Sequence, residues 1–130
     1  MDALIYINKA NENLEAARLC HQNTHYNACT NRAYYAMLQA AVAILSAKGF
    51  HSQENRIDHM RLQSTFANEL INRRKILPAK FKSYLPDAQF FRNAADYETL
   101  MISKTTAQRQ LAQTMEFVES VKKELHHAQS

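Results

Sequence analysis

Apolar residues return at steps of three and four along most of the chain, the spacing that places them on one side of an α-helix. Between about 2 and 22, Leu4, Ile7, Ala10, Leu14 and Ala17 form such a face. The segment from about 25 to 48 is apolar on both sides, with Tyr34, Met37, Leu38, Ala41, Ile44 and Leu45 opposite Ala36, Ala40, Ala43 and Ala47. A helix without a polar face belongs at the centre of a bundle. Thr24 is the expected N-cap of this segment and Gly49 its left-handed stop. A third helix is predicted from about 55 to 74, with Ile57, Met60, Ala67, Leu70 and Ile71 turned inward. Pro78 opens a short helix near 79–84, and Pro86 separates it from a longer one near 87–98. Ser103 is placed to cap a last helix whose Ala107, Leu111, Thr114, Val118, Val121 and Leu125 form a regular seam, able to face the bundle or a second copy.

Composition supports this reading. One glycine and two prolines in 130 residues leave few chain-turning points, which favours long helices over a many-turned β fold. The expected architecture is all-α: an antiparallel up-and-down bundle of four long helices plus a short helix, forming a single domain over residues 1–130. No stretch approaches the ~20 apolar residues of a membrane span, and the N-terminus has no signal-like character, so a cytoplasmic protein without membrane association is expected. Cys20 and Cys29 are too few for a disulfide framework.

A formal net charge of +4 permits a polyanionic partner without demanding one. The positive charge clusters in "NRRKILPAKFK", where Arg73, Arg74, Lys75, Lys80 and Lys82 either complement a helix C-terminus or contact phosphate. A sharper feature is Arg32 in "NRAYYAMLQAA", at the head of the most apolar segment. A guanidinium in such a place needs an anionic or carbonyl partner. In "FFRNAADYE", Arg92 and Asp96 are four residues apart on the flank of an apolar stripe, and Asp96 is the expected partner of Arg32. The simpler alternative is an intrahelical Arg92–Asp96 pair. Two arginines with one carboxylate leave surplus positive charge for phosphate, and Tyr34, Tyr35 and Tyr97 could stack on bases or donate hydrogen bonds.

Other chemistry has less support. Cys20, His21, His25 and Cys29 are all zinc-ligand types, but their C-H-x3-H-x3-C order fits neither half of a usual zinc site, so neither a metal nor a cofactor is expected. A single glycine rules out a glycine-rich phosphate loop, and no G-x-S-x-G occurs. His59 lies within a helical segment, where it is either a hydrogen-bonded structural group or a proton carrier.

Taken together, "NRAYYAMLQAAVAILSAKG", His59 ahead of "RLQSTF", and "FRNAADYE" before a long final helix resemble the HEPN domain family. The likeness is to its small stand-alone prokaryotic branch, marked by R-x-Y-Y-A and R-x-x-A-D-Y, and it spans roughly residues 5–125. The resemblance implies a helical bundle, commonly a homodimer, in toxin–antitoxin or defence systems, often beside a minimal nucleotidyltransferase. Many members are metal-independent ribonucleases with the signature R-x4-6-H. Arg92 matches its arginine, but the permitted histidine positions hold Tyr97, Glu98 and Thr99. For proton transfer the resemblance therefore leaves Tyr97 or an imported His59, and Tyr97 is also a candidate for nucleotidyl modification. Three functions follow as expectations. The first is a dimeric binder of RNA or nucleotide phosphate through Arg32, Tyr35, Arg92, Asp96, Arg73, Arg74 and Lys75. The second is a ribonuclease toxin acting through Arg92, Tyr97 and His59. The third is an adaptor bundle in which Arg32, Arg92 and Asp96 only fix helix register.

Overall fold

The computed structural model describes residues 2–50, 58–99 and 101–129. Helix α1 (Asp2–Gln22) and helix α2 (Tyr26–Ala47) form an antiparallel hairpin. After α2 come the short helix α3 (His59–Thr65), a π-helical segment Phe66–Arg73 that continues it, and a 3-10 turn Ala79–Lys82. Helices α4 (Tyr84–Tyr97) and α5 (Lys104–Gln129) complete the chain. The all-α bundle with four long helices is thus present, no strand occurs among the described residues, and none of their helices is long and apolar enough to cross a membrane.

Helix α2 is the central helix, as its two-sided apolar pattern requires. It packs against α1, α4, α5 and the π segment, burying Tyr34, Met37, Leu38, Ile44 and Leu45 on one side and a run of alanines on the other. Each of those large side chains contributes roughly 1.5–3 kcal/mol by leaving water, while the alanines let neighbouring helices come close. Side-chain contacts give the directions. Asp96 meets Asn31 whereas Arg92 lies over Tyr34 and Tyr35, so α4 runs antiparallel to α2. Ile102 meets Asn27 and Thr114 meets Ala33, so α5 runs parallel to it.

Several expected features are in place. Gly49 has φ +92°, and the amides of Gly49 and Phe50 close onto Ser46 and Leu45 carbonyls to end α2. The hydroxyl of Ser103 accepts from the Thr106 amide at 3.1 Å and caps α5. The α5 seam Ala107, Leu111, Thr114, Val118 and Val121 is buried. Pro86, by contrast, does not separate two helices as expected: α4 begins at Tyr84 and runs through it, because in the first turn its missing N–H costs nothing.

Others differ. Thr24 does not cap α2: it takes φ 62° in the turn between α1 and α2, its amide bonded to the His21 carbonyl, and His25 precedes the helix without a side-chain cap. Leu4 is exposed, as is Ala47; both lie at the open end of the α1/α2 hairpin, where no described residue covers them. Met60 was expected inward and is 80% exposed, while Phe66, Leu70 and Ile71 form the buried face. The chain leaves α geometry at Phe66, and wider turns such as the Arg74 amide to Glu69 carbonyl bond (3.0 Å, five residues apart) break the 3.6-residue spacing on which the Met60 assignment depended. Ile57 lies outside the described residues.

Candidate phosphate site at the seam of the second and fourth helices

Positions 31 and 32 in the second turn of α2, and 34 and 35 in the third, lie where it faces α1 on one side and α4 on the other. Arg32 is held by two asparagines. Its Nε and Nη2 donate to Asn31 Oδ1 at 2.9 and 2.6 Å, and its Nη1 donates to Asn13 Oδ1 of α1 at 3.1 Å. Asn13 in turn donates to Gln39 Oε1 at 2.7 Å. Asn31 turns its amide nitrogen the other way, toward both carboxylate oxygens of Asp96 on α4 at 3.2 and 2.9 Å. The direct Arg32–Asp96 contact expected from the sequence is therefore replaced by a relay: Asn31 accepts from the arginine and donates to the aspartate. An amide side chain can do both at once, which is why neutral Asn31 fits between the two charges.

Arg92 closes the relay from α4. Its Nη1 lies 3.7 Å from Asp96 Oδ2, the intrahelical pair that four-residue spacing allows. The guanidinium lies 5.1 Å from the ring centre of Tyr34 and 5.7 Å from that of Tyr35, and Arg32 lies 5.2 Å from Tyr35. Tyr35 therefore has a guanidinium from each of two helices against its ring, an arrangement that stabilises both cations. The Arg92 side chain is only 12% exposed, and its buried Nε has no hydrogen-bond partner among the described residues.

His59, the first residue of α3, reaches the same place. Asp58 caps α3 by accepting from the Arg61 amide at 3.1 Å, which fixes where the helix begins and hence where the imidazole stands. The His59 Nδ1 lies 2.6 Å from the Tyr34 hydroxyl, with the rings 5.7 Å apart. Burial pushes the Tyr34 phenol up to about 12, against the opposing pull of Arg92, so it stays protonated. Burial, and then the charge of Arg92, hold His59 below its ordinary value, with Asp58 opposing, so the ring is neutral near pH 7.

The remaining candidates lie apart from this group. Tyr97 is 77% exposed and makes no hydrogen bond or ring contact with Arg92 or His59 among the described residues. Arg73 pairs with Glu69 at 2.9 Å, Arg74 covers the Phe50 ring at 4.9 Å, and Lys75 takes φ 52° at the end of the π segment. None of the three touches Arg32 or Arg92. Cys29 is a buried core residue, its thiol raised to about 11 by burial and then by Cys20. Two contributors went unnoticed in the sequence. Asn31 stood beside Arg32 in the quoted motif, and only its place between two charges gives it a role; Asn13 gave no signal.

The fold and this belt define a class: a helical-bundle domain with a tyrosine-lined cationic seam between its second and fourth helices. The chain belongs to the HEPN family, since the HEPN domain family model matches residues 3–125. It is similar to the protein named "Putative toxin MJ0142" of Methanocaldococcus jannaschii, with 29% identity over 120 residues, covering 92% of this chain and 78% of that protein.

Proposed function

We propose that this chain is a toxin-type HEPN protein of the cytoplasm that holds RNA, or a nucleotide, by its phosphate at the Arg32–Arg92 belt. In this reading it acts as a homodimer and is paired with a nucleotidyltransferase. The observation that carries the phosphate site is the state of Arg92. A nearly buried guanidinium with one long ion pair and an orphaned Nε carries desolvation cost that a phosphate oxygen would offset. Arg32 supplies a second positive charge and Asp96 a single negative one, and the Tyr35 ring offers an aromatic surface beside both arginines. Arg73, Arg74 and Lys75 would extend the contact along a longer strand. Toxin character rests on the family and on the name of the archaeal relative. Dimer and partner rest on the family resemblance. Binding is preferred over cleavage because the R-x4-6-H histidine is missing after Arg92.

Sedimentation velocity with a fluorescent single-stranded RNA at low salt tests both mass and binding. The expected result is a two-chain species that carries RNA, with RNA lost and the dimer kept in Arg92→Ala. Equal RNA binding by Arg92→Ala, or none by the wild type, would overturn the phosphate reading, and a one-chain species would overturn the dimer. Pairing is tested by copurification with a nucleotidyltransferase encoded beside it; a tagged chain that retains none counts against that partner.

A further inference from the structure

The function proposed above uses Arg92 and leaves His59 unexplained. His59 belongs to another element, stands 33 positions before Arg92 in the chain, and yet is braced on the same tyrosine. Its Nδ1 is occupied by the Tyr34 hydroxyl. Its Nε2 has no hydrogen-bond partner among the described residues and is not among the buried unpaired atoms. Resting on the phosphate reading, we propose that His59 Nε2 and the Arg92 guanidinium form one two-donor seat for an RNA phosphodiester, assembled within a single chain on the Tyr34 side chain.

The hydrogen-bond roles are consistent with this. The seat takes the tautomer in which the Tyr34 phenol donates to His59 Nδ1 across their 2.6 Å contact. That tautomer leaves the second ring proton on Nε2, so the neutral imidazole presents a donor. Arg92, 5.1 Å from the centre of the same Tyr34 ring against which His59 stands, presents its own N–H groups. A phosphodiester has two non-bridging oxygens and accepts from both groups.

The seat also couples binding to protons. In the free chain the charged groups facing His59 are Arg92 from α4 and Asp58 from its own helix, with protonated Tyr34 from α2 and Asp96 beyond Arg92. Arg92 disfavours a second positive charge there. A bound phosphate reverses this by placing an anion against the ring, so His59 takes up a proton more readily in the complex. RNA affinity is therefore expected to rise as pH falls from 7.5 to 5.5, and His59 is the group responsible.

The test is a fluorescence titration of a 5′-labelled oligouridylate, whose base takes up no proton in this range, at constant low salt and at pH 5.5, 6.5 and 7.5. Wild type is expected to bind about three- to tenfold more tightly at pH 5.5 than at 7.5. His59→Gln keeps a donor near Nε2, so it should bind like wild type at pH 7.5 and lose most of the pH response. His59→Leu should bind about tenfold more weakly at pH 5.5. Because histidines elsewhere also titrate, the measured quantity is the wild-type response minus that of His59→Gln. Circular dichroism identifies any unfolded variant, and His59→Gln alone decides the question if His59→Leu does not fold. A wild-type pH response retained in His59→Gln overturns the seat. If Arg92→Ala weakens binding while the His59 variants match wild type at every pH, this inference fails and the phosphate reading stands; if Arg92→Ala also binds normally, both fail.

Discussion

The Tyr34 hydroxyl and His59 Nδ1 lie 2.6 Å apart across 25 positions of sequence, tying the start of α3 to the buried centre of α2. This contact converts an otherwise peripheral histidine into part of the arginine belt and gives the fold a pH dependence. Since His59 is held below 6.5 when folded, the unfolded chain binds more protons between that lowered value and 6.5. The His59 contribution to stability is then fully present above 6.5 and is lost as pH falls through the folded value. Urea unfolding of wild type and His59→Gln at pH 5, 6, 7 and 8 checks this. The difference in midpoint should be constant at pH 7 and 8 and shift against wild type on acidification; parallel pH profiles would contradict it.

Asn31 is expected to matter more for stability than its short side chain suggests. Asn31→Leu leaves Arg32 Nε and Nη2 without their acceptor and takes a donor from Asp96, at a cost of about 1–3 kcal/mol. Asp96→Asn, which keeps an acceptor for the Asn31 amide but loses the ion pair with Arg92, should cost less. Chemical denaturation of both variants ranks them. A smaller loss for Asn31→Leu than for Asp96→Asn would show that the charge pair, and not the amide relay, holds the seam.

Thr24 offers a stabilising substitution. Its φ of 62° is a conformation that a β-branched residue adopts only under strain, and it is exposed with its amide in the turn that joins α1 to α2. Thr24→Gly removes a penalty of about 1–2 kcal/mol while adding back roughly 0.5–1 kcal/mol of chain entropy. Thermal unfolding should show a net gain of about 0.5–1 kcal/mol with RNA binding unchanged. A loss of stability would show that the Thr24 side chain contributes to the turn.

Some features of the site were legible because they obey local rules. The four-residue Arg92–Asp96 spacing gave an intrahelical pair, and a guanidinium at the head of an apolar helix announced a need for partners. Which partners answered it was not legible. Pattern reasoning pointed to Asp96, whereas the actual acceptors are two neutral asparagines, one adjacent in sequence and one on α1. Similarly, helical periodicity turned Met60 inward because nothing in the sequence marks the change to π winding six residues later.

By itself the sequence determined an all-helical chain, a central α2, the glycine stop at its end and the serine cap of α5. Each follows from spacing or backbone preference acting within a few residues. Only the tertiary structure decided that Arg32 reaches Asp96 through Asn31, that His59 joins Arg92 on Tyr34, and that Tyr97 and the Arg73–Lys75 run stay apart. Those outcomes depend on helix directions and rotations, which are set by how the buried faces fit together across the whole bundle.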